Sequence, residues 1–150
     1  MIRNLIFDLG QVLLSYDPRK YLEKQHTDPI KRELLFKAVF GSQSWLDLDQ
    51  GIIDEAEAFQ RMSAVLPSSP EDIQALLDHW DEMLVPIEET IGLLQRLKRQ
   101  NYGLFLLSNF HRRAYDRVYH RYSFFKLFDG IIISSHVKLL KPGTAIFNRL

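Results

Sequence analysis

Asp8, Ser108, Asn109 and Lys141 are the residues of this chain whose types and places could together do chemistry. Each ends or follows an unbroken apolar run. Asp8 comes directly after Leu5-Ile6-Phe7, Ser108 and Asn109 after Leu104-Phe105-Leu106-Leu107, and Lys141-Pro142 a short loop beyond Ile131-Ile132-Ile133. Runs without polar alternation are the pattern of strands buried on both faces of a parallel sheet. In open parallel sheets, ligands sit at the carboxyl ends of the strands. A carboxylate, a hydroxyl beside an amide, and an ammonium would then meet on one edge. That is the equipment for phosphoryl transfer: a nucleophile, neutral hydrogen-bond donors, and a positive charge for the phosphoryl oxygens. Taken singly, each residue has an ordinary reading. An aspartate after a strand is a turn or cap residue, Ser-Asn is common in loops, and a proline after the lysine opens a helix. The ordered set carries the chemical reading.

These residues need a scaffold, and the apolar periodicity supplies one. The pattern from Pro86 to Gln100 places Ile87, Ile91, Leu94 and Leu97 on one helix face and ends at Asn101-Tyr102-Gly103, while His111 to Tyr122 turns Ala114, Val118 and Tyr115 inward. The second and third runs with the helix between them form a βαβ unit. They predict an α/β fold: an open, Rossmann-like parallel sheet with right-handed crossovers. From about Asp17 to Val85 there is no strand pattern. Helix starts are marked instead by Asp28-Pro29 before "IKRELLFKAVF", which Gly41 closes, by Asp54 with Glu57 as a capping box before "AFQRMSAVL", which Pro67 stops, and by Ser69-Pro70 before "EDIQALLDHW". A helical block of that size exceeds an ordinary crossover. The expected division is a core of residues 1–15 and 86–150 and a helical cap of residues 16–85.

Composition narrows the function classes. With 150 residues, 46% apolar and 25% charged, the chain is sized for one globular domain. Nineteen basic against nineteen acidic side chains leave no net charge, so neither nucleic acid nor an anionic membrane is expected as a partner. The absence of cysteine excludes a thiol nucleophile, a disulfide framework and a thiolate zinc site within this chain. No secretory leader pattern and no membrane-length apolar run is found, which predicts a cytoplasmic protein. The histidines at 26, 79, 111, 120 and 136 show no zinc-ligand spacing, and each reads as a partly exposed helix or loop residue. Trp45, Trp80 and the tyrosines read as packing residues, with Trp45, placed in a cap loop, also a candidate for lining a substrate pocket. Arg112 and Arg113 read as solvent-facing.

"FDLGQVLL", "LLSNF" and "HVKLLKP", in that order, resemble the first three motifs of the haloacid dehalogenase superfamily, and the helical insertion after the first is similar to the cap of its dehalogenase and phosphatase branch. Glycine two places after the aspartate most resembles a phosphatase group that includes bacterial glucose-1-phosphate phosphatases. The resemblance implies that Asp8 attacks phosphorus to form an aspartyl-phosphate and, with the Gly10 carbonyl, binds magnesium. It implies that Ser108, helped by the Asn109 main chain, holds the phosphoryl oxygens, and that Lys141 neutralises the charge shared by nucleophile and phosphate. The expected function is magnesium-dependent hydrolysis of a small phosphorylated metabolite, a sugar phosphate among the possibilities.

Two departures from the family pattern stand out. Phosphatases of this superfamily usually carry a second aspartate at the position of Gly10, where it serves as general acid and base. Its absence predicts slow turnover, an undemanding leaving group, or another donor such as Tyr16 or Asp17. The family also continues to a further strand, beside the first, that completes the magnesium site, whereas this sequence stops at Leu150. The expectation is therefore a fragment with its last core strands missing, impaired in magnesium binding and activity, and prone to self-association through the Leu5 to Phe7 edge. The rival readings are a 2-haloacid dehalogenase, which needs neither magnesium nor a second acid, and a phospho-accepting or degenerate binding module on the same scaffold.

Overall fold

The structure, a computed structural model, describes residues 2–149. Strands β1 (Asn4–Phe7), β2 (Gly103–Ser108) and β3 (Gly130–Ile133) form one parallel sheet with β2 in the middle. The register aligns Phe7 with Leu106 and Ser108 with Ile133. All three carboxyl ends therefore open on one edge, as a parallel sheet requires. Only β2 has the burial expected of a strand covered on both faces. In β1, which among the described residues pairs with β2 alone, Ile6 is 57% exposed.

Between β1 and β2 run helices α1 (Pro18–Gln25), α2 (Pro29–Ala38), α3 (Gln43–Gln50), α4 (Glu55–Val65), α5 (Pro70–His79) and α6 (Glu88–Arg99), with a 3-10 turn at Trp80–Met83. The caps explain the boundaries. Asp28 accepts from the Ile30 amide at 2.8 Å with Pro29 in the first turn, and Asp54 accepts from the Glu57 amide at 2.8 Å. The reciprocal half of the expected capping box is not made, since the Glu57 carboxylate bonds Arg61 at 2.6 Å instead. Two helices have no counterpart in the sequence reading: α1, capped by Asp17, and α3, which places Trp45 on a helix rather than in a loop. Helix α6 begins at Glu88, two positions later than the periodicity suggests.

The chain leaves and rejoins the sheet side by side. The Ser15 amide donates to the Val85 carbonyl at 2.8 Å, the Val85 amide to Ser15 Oγ at 3.0 Å, and the Ile87 amide to the Leu13 carbonyl at 2.9 Å. Beyond β2 lie α7 (Arg112–Arg121), β3, and the short helices α8 (Ser134–Val137) and α9 (Thr144–Phe147). One apolar cluster joins sheet and helices, including Leu9, Leu13, Leu104, Leu106, Ile91, Leu94, Val118 and Phe125 from the sheet side and Leu22, Leu35, Met62 and Ile73 from the inserted helices. Buried Asp81 fastens the end of the inserted block to α7, accepting from Arg117 at 2.9 Å and Arg121 at 2.6 Å. Among the described residues no helix is long and apolar enough to cross a membrane.

Candidate active site

Asp8 is the first residue past β1, and the turn after it is folded tightly on itself. The Leu13 and Leu14 amides both donate to the Leu9 carbonyl at 2.9 Å, and Leu9, Leu13 and Leu14 are fully buried. That anchored turn holds the Asp8 carboxylate at the sheet edge with its side chain 45% exposed. One oxygen accepts from the Leu9 amide at 2.7 Å, and the other lies 2.7 Å from Lys141 Nζ. Lys141 also donates to the Leu107 carbonyl at 3.0 Å, which ties its ammonium to the end of β2.

The loop bearing Lys141 is held by Asn109. Its side-chain amide donates to the Lys141 carbonyl at 3.0 Å and accepts from the Lys141 amide at 2.9 Å. Such a two-way bond fixes a backbone as a strand neighbour would, so the Asn109 side chain has a positioning task that the sequence reading did not give it. Ser108 is buried at the tip of β2, with its hydroxyl 3.4 Å from the Asn109 carbonyl. A hydroxyl in a bond that long is available to a stronger acceptor.

Asp8, Gly10, Ser108, Asn109 and Lys141 all line one cavity of about 200 Å³, so every site residue expected from the sequence reaches the same place. The rest of the wall is Tyr16, Trp45, Asp49, Trp80, Leu84 and Phe110. Of the two speculative donors, Tyr16 is present and Asp17 is not, because Asp17 is exposed and caps α1 through the Lys20 amide at 3.0 Å. Burial, reinforced by the charge of Asp49, raises the Tyr16 phenol above its ordinary pKa. Arg112 and Arg113 stand apart from the cavity: Arg113 pairs with Asp78 at 3.0 Å and Arg112 reaches the Ser135 carbonyl at 3.4 Å.

His111 departs from the partly exposed role read for it. It is 1% exposed and held between Trp45 and Trp80, with ring centroids 4.2 Å and 5.0 Å away. Burial pushes its pKa down to about 3, opposed by the backbone at Trp45. Its Nε2 has no hydrogen-bond partner and lies 3.4 Å from Asp49 Oδ1. Burial pushes Asp49 up to about 7. Near pH 5 both groups are therefore neutral, and the contact is not an ion pair. The sequence reading missed Asp49 altogether; its signal lay in Ser42 and Gly51, which bracket a one-sided helix whose last turn carries it.

Magnesium favours oxygen donors, takes one or two carboxylates and keeps several waters. The half-exposed Asp8 carboxylate beside Gly10 in an open cavity fits that preference. Among the described residues, no group of three or more acidic or histidine side chains gathers into a fuller metal cage.

Residues 48–150 match the haloacid dehalogenase-like hydrolase family, and the chain belongs to it. Drimenol cyclase drtB of Aspergillus calidoustus is 27% identical over 150 residues, covering 98% of this chain but 27% of its own length, so the chain spans about a quarter of that relative. The HAD family enzyme bt-2542 of Bacteroides thetaiotaomicron is similar in structure, with a TM-score of 0.70 and 26% identity over 99% of this chain and 76% of that one. Its complex with magnesium and inorganic phosphate is similar to the same degree, at 25% identity over 99% and 77% of the two chains and a TM-score of 0.70. L-2-haloacid dehalogenase of Xanthobacter autotrophicus shares the fold, with a TM-score of 0.65 at 17% identity over 99% of this chain and 63% of that one.

Proposed function

We propose that this chain carries the catalytic site of a magnesium-dependent phosphatase for small phosphorylated metabolites, acting through an aspartyl-phosphate on Asp8. The observation that carries the reading is the Asp8 carboxylate poised 2.7 Å from the Lys141 ammonium at the mouth of a cavity that also holds Ser108. The paired lysine can follow the charge from the attacking carboxylate onto the phosphoryl oxygens as the bond to phosphorus forms. Ser108 Oγ and the main chain at Asn109 receive those oxygens. Asp8 and the Gly10 carbonyl would hold magnesium, which supplies charge neutralisation between nucleophile and phosphate. The bt-2542 complex with magnesium and inorganic phosphate supports this choice by similarity.

The inserted helices, residues 16–85, act as a cap that selects the substrate. A cavity of about 200 Å³ is below the roughly 300 Å³ at which pockets for drug-sized ligands begin, so compact substrates are favoured, a sugar phosphate among them. The test is a panel of phosphomonoesters with and without magnesium, repeated with Asp8→Asn. Magnesium-dependent phosphate release that disappears in the variant is expected, and release unaffected by the substitution refutes the assignment. A dehalogenase reading is favoured by one observation, the bare Gly10, since displacement of halide needs no acid. Halide release from a two-carbon haloacid under magnesium chelation would establish it.

A further inference from the structure

We propose that Asp49, carried in by helix α3, protonates the leaving group and then activates water, the task that Gly10 has no side chain to perform. The proposal rests on the reading of Asp8 as a nucleophile toward phosphorus. Asp49 lines the same cavity as Asp8, Ser108 and Lys141 although it belongs to a different part of the chain.

Its position is fixed from the sheet side. Ser134 Oγ donates to the Asp49 carbonyl and in turn accepts from the Phe110 amide at 2.9 Å. Gln50 donates to the Lys138 carbonyl at 3.2 Å. Gly51 ends α3 in the left-handed region at φ +73°, so close to Ser135 that any Cβ there would strike the Ser135 backbone. These contacts press the last turn of α3 onto the segment that leads to Lys141. The Asp49 side chain is 16% exposed and, among the described residues, accepts no hydrogen bond at its carboxylate.

A proton donor to an alkoxide must hold its proton at working pH and release it readily. A buried, unpaired carboxyl near 7 does both. The other groups in reach do not. The Tyr16 phenol is raised by burial, His111 is kept neutral by burial, and the Lys141 ammonium is bound to Asp8 and the Leu107 carbonyl. In the first half-reaction an Asp8 oxygen bonds to phosphorus, the bond from phosphorus to the leaving oxygen breaks, and that oxygen takes the Asp49 proton. In the second, Asp49 takes a proton from water as the water oxygen bonds to phosphorus. The Asp8 bond to phosphorus then breaks, which releases phosphate and returns both carboxyl groups to their starting forms.

The experiment compares the full chain with Asp49→Asn, Asp49→Glu and Asp8→Asn, in the presence of magnesium, on p-nitrophenyl phosphate and on glycerol phosphate. Nitrophenolate leaves without a proton, whereas the alkoxide needs one. Asp49→Asn is expected to lower glycerol phosphate turnover by about a hundredfold or more. On p-nitrophenyl phosphate it should leave a rapid burst of nitrophenol followed by slow turnover, with the phosphorylated protein visible by intact mass. Asp49→Glu should recover much of the alkyl phosphate rate. Equal losses on both substrates, with no burst and no phosphorylated protein in a variant that unfolds at the wild-type urea concentration, overturn the assignment of Asp49 alone. Turnover surviving in Asp8→Asn overturns the nucleophile, and the proposal with it.

Discussion

Asp49 and His111 titrate in opposite senses, and separating them tests the burial on which the site depends. The Asp49 carboxyl holds its proton up to about pH 7 in the fold, against 3.8 for an ordinary aspartate. Its contribution to stability is fully present below pH 3.8 and is lost as pH rises through 7. His111 is driven down to about 3 from 6.5, so its contribution is present above pH 6.5 and is lost as pH falls toward 3. Each changes stability by about 1.4 kcal/mol per pH unit within its window. Between pH 3.8 and 6.5 the two slopes cancel in the native protein. The neighbouring groups, Tyr16, Asp8 and Lys141 in the cavity, Asp47 and Arg61 toward α4, and His136 and Lys138 toward α8, remain in every variant and drop out of differences. Relative to wild type, Asp49→Asn should therefore lose about 3 kcal/mol between pH 7 and pH 4, and His111→Phe should gain about 3 kcal/mol over the same range. Phenylalanine keeps a ring between Trp45 and Trp80, so the packing cost is a constant offset. Urea unfolding at half-unit pH steps, without magnesium, reads both curves. Two variants whose stabilities run parallel to wild type within about 1 kcal/mol would refute the account of both groups.

Other perturbations follow from single contacts. Asn109→Ala removes both side-chain bonds to the Lys141 backbone. It should cost about 1–3 kcal/mol of stability in urea unfolding and lower phosphate release at saturating substrate about tenfold or more. Gly10→Asp meets only the Tyr16 Cβ, 4.0 Å from where its own Cβ would stand. Combined with Asp49→Asn, it should restore at least about tenfold of the lost alkyl phosphate hydrolysis, measured as phosphate release. Replacing Arg117 and Arg121 together by alanine strands buried Asp81 and should cost about 3 kcal/mol, well above the effect of either single change, in urea unfolding. Ile6→Lys on the exposed edge of β1 should reduce concentration-dependent self-association, measured by light scattering.

The sheet and the convergence at its edge were legible because they depend on local pattern. Unbroken apolar runs mark Leu5–Phe7, Leu104–Leu107 and Ile131–Ile133, and the residue after each falls at a strand end whatever the rest of the chain does. Helix α3 escaped because its apolar positions, Trp45, Leu46 and Leu48, are clustered among polar residues in only eight positions, with Leu46 on the exposed side, too few for periodicity to speak. Its end signals were present. Ser42 accepts from the Trp45 amide at 3.2 Å and Gly51 takes the left-handed cap, so reading caps before periodicity would have found it. Helix α1 was missed although Asp17-Pro18 repeats the Asp28-Pro29 signature. The burial of His111 was not legible by any local rule. It arises from two indoles, one on α3 and one beyond α5, closing on a residue that follows β2.

Lys141 and Asp49 are positioned by one stretch of backbone. The segment from Ser134 to Lys141 begins by gripping α3 through Ser134, Ser135 and Lys138, and ends by presenting its ammonium to Asp8. Asn109 and Phe110 tie both ends of that segment to the loop after β2, through the Lys141 backbone and Ser134 Oγ respectively. A displacement of α3 therefore cannot move Asp49 without straining the same turn that holds Lys141. An acid mounted at position 10, two residues from the nucleophile, would keep its place whether or not the helices were docked. An acid mounted on α3 makes proton delivery conditional on the inserted helices being seated on the sheet. With Asp49 as the proposed acid, assistance to the attacking water would be available only while the inserted helices sit on the sheet.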